Sequence, residues 1–267
     1  MKQLDLKEIK EIELGILLQF KSFCETNNIR YFLSNGTLLG AVKYQGFIPW
    51  DDDIDVFVPR EDYDRLMRIY ADSEDYKLLS LERCAKFRFP FAKLCDMTTR
   101  KDEEGSDNGM PMGLDIDIFP LDNSCASQKE TEGIIEKNQK NIERLIWSKL
   151  PYSKSRGLIR SAAKLLVMGL HRLYGAGRIC RRMIRTAQMH RGAKPDFSGC
   201  FVWPIYGQRE IIPAEAFAET VYLDFEGVRF PAPVGYDAYL RSLYGDYTQD
   251  PPKEKQCTHH RFRAFRI

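Results

Sequence analysis

An α+β fold, with a mixed core sheet flanked by helices and interrupted by a basic helical insert, is predicted by three observations. Strand and helix patterns follow one another irregularly rather than in strict strand–helix repeats. Two short segments, around Asp55 and around Asp117, alternate acidic with apolar residues as half-buried strands do. The stretch 126–195 reads as mostly helical and strongly basic.

The elements follow in order. Leu6, Ile9, Ile12, Ile16, Leu17 and Phe20 recur at helical spacing, so 5–26 forms an amphipathic helix. Tyr31–Leu33 is a short strand, Ser34-Asn35-Gly36 a turn, and Thr37 opens a short helix through Val42. Gly46 and Pro49 break the chain before a strand over Ile54–Val58, and a helix over Glu61–Ala71 follows. Strands near Tyr76–Leu81 and Phe87–Leu94, a polar loop over Asp102–Met112 and a strand over Leu114–Phe119 come next. After the insert, Val221–Phe225 and Val228–Phe230 pair around Glu226-Gly227, and Tyr236–Leu243 is the last helix.

The 267 residues suit one domain, 1–267, with the insert 126–195 inside it. With 43% hydrophobic and 29% charged residues, collagen-like, disordered and disulfide-scaffold classes are excluded. The net charge of +2 conceals an asymmetry, because residues 144–194 hold 13 Lys and Arg and no Asp or Glu. The charged first 20 residues do not read as a secretory signal, and no apolar run reaches membrane-spanning length. Seven cysteines without a C-x-x-C pair favour reduced thiols. The expectation is a cytoplasmic protein, free or peripheral on the inner face of the membrane.

The chemistry concentrates in Trp50-Asp51-Asp52-Asp53-Ile54-Asp55-Val56-Phe57-Val58 and Leu114-Asp115-Ile116-Asp117-Ile118-Phe119. Alternate strand residues share a face, so Asp53 projects with Asp55, and Asp115 with Asp117. Adjacent carboxylates repel unless a cation lies between them, and oxygen ligands of this kind suit Mg²⁺. Side by side, the two strands would bring three or four carboxylates to one site for phosphoryl or nucleotidyl transfer. Gly36 and Thr37 lie in a small-residue turn at a helix N-terminus, which offers N–H groups to a phosphate. An EF-hand beginning at Asp51 fails, with Val56 and Asp62 where Gly and Glu are required. P-loop, dinucleotide-binding, zincin and nucleophile-elbow motifs are absent.

Gly36-Thr37-Leu38-Leu39-Gly40-Ala41-Val42, Gly46-Phe47-Ile48-Pro49-Trp50-Asp51-Asp52-Asp53-Ile54-Asp55-Val56 and Pro59-Arg60-Glu61-Asp62-Tyr63 together resemble the LicD family. The likeness resumes at Asp115-Ile116-Asp117-Ile118-Phe119-Pro120-Leu121-Asp122 and at Tyr244-Gly245-Asp246-Tyr247, and it omits roughly 125–195. It implies a nucleotidyltransferase-like core and a phosphotransferase. Such enzymes move phosphocholine from CDP-choline onto teichoic acid or lipopolysaccharide sugars, or, in fukutin-type members, ribitol phosphate from CDP-ribitol. The family pattern falls on Gly36, Thr37, Asp53, Asp55 and Asp117. Asp53, Asp55 and Asp117 are thus the expected catalytic and metal-holding residues, with Mg²⁺, or Mn²⁺ in its place, as cofactor. The expected partners are a CDP-alcohol donor and a glycan or lipid-linked glycan acceptor.

Arg60 and Lys93 are candidate phosphate partners, with a salt-bridged role as the alternative for each. His259 is a candidate donor-phosphate contact; the run Cys257-Thr258-His259-His260 lacks a second pair for zinc. Leu158–Tyr174 within the basic block 144–194 could lie on an anionic membrane or pack on the core as a helix. Nucleic acid is not expected, because no aromatic–basic motif accompanies the charges. Trp203, Tyr206, Phe225 and Phe230 read as core aromatics, any one of which could stack on cytosine or choline. The alternative function is a metal-dependent D-x-D glycosyltransferase using a nucleotide-sugar.

Overall fold

A computed structural model describes residues 2–103, 110–149, 165–166, 168–169, 172–258 and 262–267. The architecture is α+β. Its central sheet runs β2(Phe32–Leu33), β3(Asp55–Pro59), β7(Leu114–Ser124), β5(Ala92–Asp96), β4(Tyr76–Leu79). β3 and β7 are parallel, while β2–β3, β7–β5 and β5–β4 are antiparallel. The far end of β7 also pairs β8(Phe197–Gly199), which pairs β9(Ile212–Pro213).

α1(Leu6–Thr26) packs on β7 and β5. Its start is fixed by a capping box, Glu8 N–H donating to Asp5 Oδ1 at 2.9 Å and Asp5 N–H to Glu8 Oε2 at 3.1 Å. Its apolar stripe of Ile9, Ile16, Leu17, Phe20 and Cys24 is buried as the spacing predicts. α2(Asn35–Tyr44) and α3(Arg60–Ile69) flank β3 on its N- and C-terminal sides in sequence. Ile54, Val56 and Val58 are fully buried, and so are Leu114, Ile116 and Ile118.

β10(Thr220–Phe225) and β11(Val228–Pro233) form the expected hairpin, with positive φ at Glu226 (51°) and Gly227 (75°) as a primed two-residue turn demands. α4(Gln128–Lys149) and α5(Ala176–Ala187) pack on each other. α6(Tyr236–Tyr244) agrees with the last predicted helix.

Three features depart from the expected elements. The strand expected from Phe87 begins at Ala92, because Phe87, Phe89 and Phe91 form a chain of ring contacts at 5.4 Å that runs on to Phe119 and Trp203. β7 runs to Ser124, through Pro120, beyond its expected end at Phe119. A separate sheet, β1(Lys2–Gln3)–β12(Phe262–Arg266)–β6(Thr99–Glu103), joins the two chain ends to a polar strand that the sequence pattern conceals.

Candidate active site

The start of β3 is held by the first turn of α2. Ser34 N–H donates to Asp55 O at 3.1 Å, and Asp55 N–H donates to the Thr37 hydroxyl at 2.8 Å. Thr37 is therefore buried and clamps the backbone of Asp55 instead of lining the cleft. Asn35, in the left-handed region at φ 46°, accepts from the Tyr239 hydroxyl at 2.8 Å and bonds the Asp55 carboxylate. Gly36 is at the cleft, where an added Cβ would come within 2.7 Å of Asp51 Oδ2.

The acidic segment 51–53 is pinned from two further elements. Lys10 of α1 donates to the carbonyls of Ile48 and Pro49, each at 3.0 Å. At the hairpin tip, Glu226 accepts from Phe47 N–H at 3.0 Å and donates its own N–H to Gln45 O at 2.9 Å. Three carboxylates result, from Asp51, Asp52 and Asp53, with ligand oxygens all within 4.8 Å of one another. One step further along, Asp55 lies in direct register with Asp117 across the parallel β3–β7 pair. Asp51, Asp53, Asp55 and Asp117 line a single cleft of about 700 Å³. An all-oxygen set of this density fits a hard divalent cation. Asp52 is a member of this cluster that the strand alternation does not single out, and its place in the Asp-Asp-Asp run is the sequence signal for it.

Burial, reinforced by the charges of Asp53 and Asp117, pushes the Asp55 carboxyl well above the usual range. Burial also raises Asp117 to about 6, against the pull of the Lys93 ammonium. Asp115 behaves oppositely: although buried, it is held below the usual range by Lys101 and Lys93. Lys101 donates to its Oδ1 at 2.9 Å and Lys93 to its Oδ2 at 2.6 Å. Lys93 also bonds Asp117, its cross-strand neighbour, so it bridges the second acidic pair instead of facing the cleft directly.

Arg60 is elsewhere. Its guanidinium is buried in a bidentate pair with Asp122, at 2.8 and 3.0 Å, and does not line the cleft. His259 lies outside the described residues, as do Leu158, Ile159, Arg160 and Lys164 of the stretch Leu158–Tyr174. Among the described residues the cations that line the cleft are Lys43 and Lys255, neither singled out in the sequence; Lys43 donates to Asp250 Oδ1 at 2.6 Å. Lone lysines in a helix end and in a tail carry no pattern that would reveal them.

The cleft also has an aromatic side, made by Tyr44, Trp50, Trp203, Tyr206 and Tyr244. Beside it lies Glu210, 1% exposed, whose Oε2 has no hydrogen-bond partner among the described residues. Burial raises this carboxyl to about 8, only partly opposed by hydrogen bonds from the backbone of Tyr206 and Cys200. A single Glu between turn residues gave no sign of such burial in the sequence.

Residues 28–144, which include both acidic segments, match the family model described as "LicD/FKTN/FKRP, nucleotidyltransferase domain". The chain is 32% identical to the lipopolysaccharide cholinephosphotransferase LicD of Haemophilus influenzae over 271 aligned positions, 99% of each chain. Shorter matches link it to two uncharacterized rickettsial proteins. RP689 of Rickettsia prowazekii is 50% identical over 48 residues, 18% of each chain. RT0683 of Rickettsia typhi is 58% identical over 36 residues, 14% of this chain and 12% of that one. The site thus belongs to a nucleotidyltransferase-type domain. The chain is a member of the LicD family, and with it a phosphotransferase of the LicD type.

Proposed function

We propose that the protein transfers phosphocholine from CDP-choline to a sugar hydroxyl of a lipopolysaccharide-type glycan, using Mg²⁺, or Mn²⁺ in its place, held by Asp51, Asp53 and Asp55, with Asp117 facing them as the base. The observation that carries this reading is the opposition of Asp55 and Asp117 beside the Asp51–Asp53 cluster, in a chain aligned end to end with a cholinephosphotransferase. A divalent ion at such carboxylates would neutralise the donor's diphosphate and the charge developing on its bridging oxygen.

The residues divide the remaining work. Lys43 and Lys255 supply the cationic contacts to the donor phosphates. Asp117, with its proton affinity raised to about 6, is suited to take the proton of the acceptor hydroxyl. That oxygen attacks the phosphorus of phosphocholine in line, a new P–O bond forms, the diphosphate bridge breaks, and CMP leaves with the bridging oxygen. Lys93 and Lys101 keep Asp115 ionised and hold the β7 acidic pair in place.

The acceptor is amphiphilic in this reading, and the partner surface is an anionic membrane. Support comes from α5, which exposes Arg178, Arg181, Arg182 and Arg185 along one stripe, and from exposed Leu173 and Tyr174 just before it. No described helix is long and apolar enough to cross a membrane.

The test is product analysis with CDP-choline, CDP-ribitol, CDP-glycerol and UDP-sugars, with and without Mg²⁺. The expected result is Mg²⁺-dependent release of CMP from CDP-choline, coupled to labelling of the glycan. Consumption of a UDP-sugar alone would instead establish a glycosyltransferase.

A further inference from the structure

The cleft divides its charges unevenly. Its lining cations, Lys43 and Lys255, come from the end of α2 and from the tail, whereas the segment 203–210 and α6 contribute Trp203, Tyr206, Glu210 and Tyr244. The rings of Tyr206 and Tyr244 meet edge to face, with centroids 5.3 Å apart at 79°, and their hydroxyls bond each other at 3.1 Å. Trp203 is held by Phe91, at 5.5 Å and 66°. These contacts fix the rings before any ligand arrives. Glu210 adds a buried carboxyl with one oxygen unpartnered.

A buried polar atom without a partner is destabilising, and its persistence at a cleft calls for a ligand that satisfies it. A polyol would need a matching array of donors and acceptors, but the phenols here are bonded to each other. A quaternary ammonium group has no N–H to place. It is recognised by aromatic faces and by a nearby carboxylate, and this wall offers the rings together with the buried Glu210 carboxyl, which holds its proton when no cation is near and ionises when a fixed positive charge comes to lie beside it. We propose that Trp203, Tyr206, Tyr244 and Glu210 form a subsite for a quaternary ammonium group, the trimethylammonium end of the donor.

This assignment rests on the donor reading above, and the experiment separates the two. Binding of CDP-choline and of its uncharged isostere, the CDP ester of 3,3-dimethylbutanol, is measured by calorimetry with Mg²⁺ on the wild type, Glu210→Gln and Tyr206→Leu. The wild type is expected to prefer the charged ester by about tenfold. Both variants are expected to bind the two esters within about twofold of each other while binding CMP like the wild type. Tyr206→Leu keeps the test open if Glu210→Gln does not fold. Equal affinity for the two esters in the wild type, or an unchanged preference in both folded variants, overturns the subsite and leaves the donor reading standing. If neither ester binds, the donor reading fails. The subsite is then decided by tetramethylammonium chloride, followed through tryptophan fluorescence: saturable binding lost in the variants supports it, and no binding overturns it.

Discussion

Asp55 and Asp117 stand directly opposite each other on neighbouring parallel strands, with Lys93 bonding Asp117 from the other side. Opposed carboxylates of this kind lower stability until a cation joins them. Asp55→Asn is therefore expected to abolish transfer yet, in EDTA at neutral pH, to be as stable as the wild type or more so by up to about 1 kcal/mol. Thermal unfolding in EDTA and in Mg²⁺ checks both halves: the wild type gains stability from the ion, and the variant gains little.

Asp117 should set the acid limb of the pH–rate profile. Its carboxyl is raised to about 6 in the metal-free protein and a cation beside it pulls that value down, so kcat is expected to fall on the acid side of about 6 as the base becomes protonated. The Lys93 ammonium opposes this shift, so Lys93→Met is expected to move the inflection upward while lowering activity. An inflection that stays in place would separate Asp117 from the proton transfer.

Glu210 makes a different pH prediction. Because its folded-state proton affinity is raised to about 8 above an ordinary Glu, the folded protein holds the proton that the unfolded chain releases. Its contribution to stability is therefore lost as pH rises from about 4.5 toward 8. Glu13, buried on α1 with neither oxygen partnered among the described residues, acts in the same direction. Glu210→Gln should show a melting temperature that gains on the wild type steadily between pH 5 and pH 8.

The Arg60–Asp122 pair is structural. Removing one partner leaves an uncompensated buried charge, so Arg60→Ala is expected to cost about 3–5 kcal/mol in denaturant unfolding. The double change Arg60→Met with Asp122→Leu should recover most of that loss. The KM for the donor is expected to be unchanged in either folded variant.

Two glycines of α2 should separate site from scaffold. A Cβ at Gly36 meets the Asp51 carboxylate at 2.7 Å, whereas one at Gly40 meets the backbone carbonyl of Gly46 at 2.4 Å. Gly36→Ala is expected to weaken Mg²⁺ binding at nearly unchanged stability, and Gly40→Ala to lower the melting temperature. Calorimetric Mg²⁺ titration and unfolding scans distinguish them.

What was legible in the sequence follows the physics of each signal. Alternation of Asp with Ile and Val exposed β3, β7 and the meeting of their carboxylates, because a two-residue period is local. The Glu226-Gly227 turn was legible for the same reason. The partners of Arg60, Lys93 and Thr37 were not: each bonds a residue 18 to 62 positions away, and no spacing rule reaches that far. Thr37 in particular reads as a phosphate-binding turn residue but spends its hydroxyl on the Asp55 amide. β6 and β12 escaped because Thr99–Glu103 is polar throughout, and an edge strand pairs through its backbone whatever its side chains.

The most direct measurement is ³¹P NMR of CDP-choline incubated with the purified protein, a lipopolysaccharide-type glycan acceptor and Mg²⁺. The diphosphate signals are expected to give way to CMP and a glycan-bound phosphodiester, EDTA to stop the conversion, and Asp55→Asn and Asp117→Asn not to catalyse it. A phosphodiester formed at the wild-type rate in EDTA or by the Asp55→Asn protein would contradict metal-dependent transfer at these carboxylates.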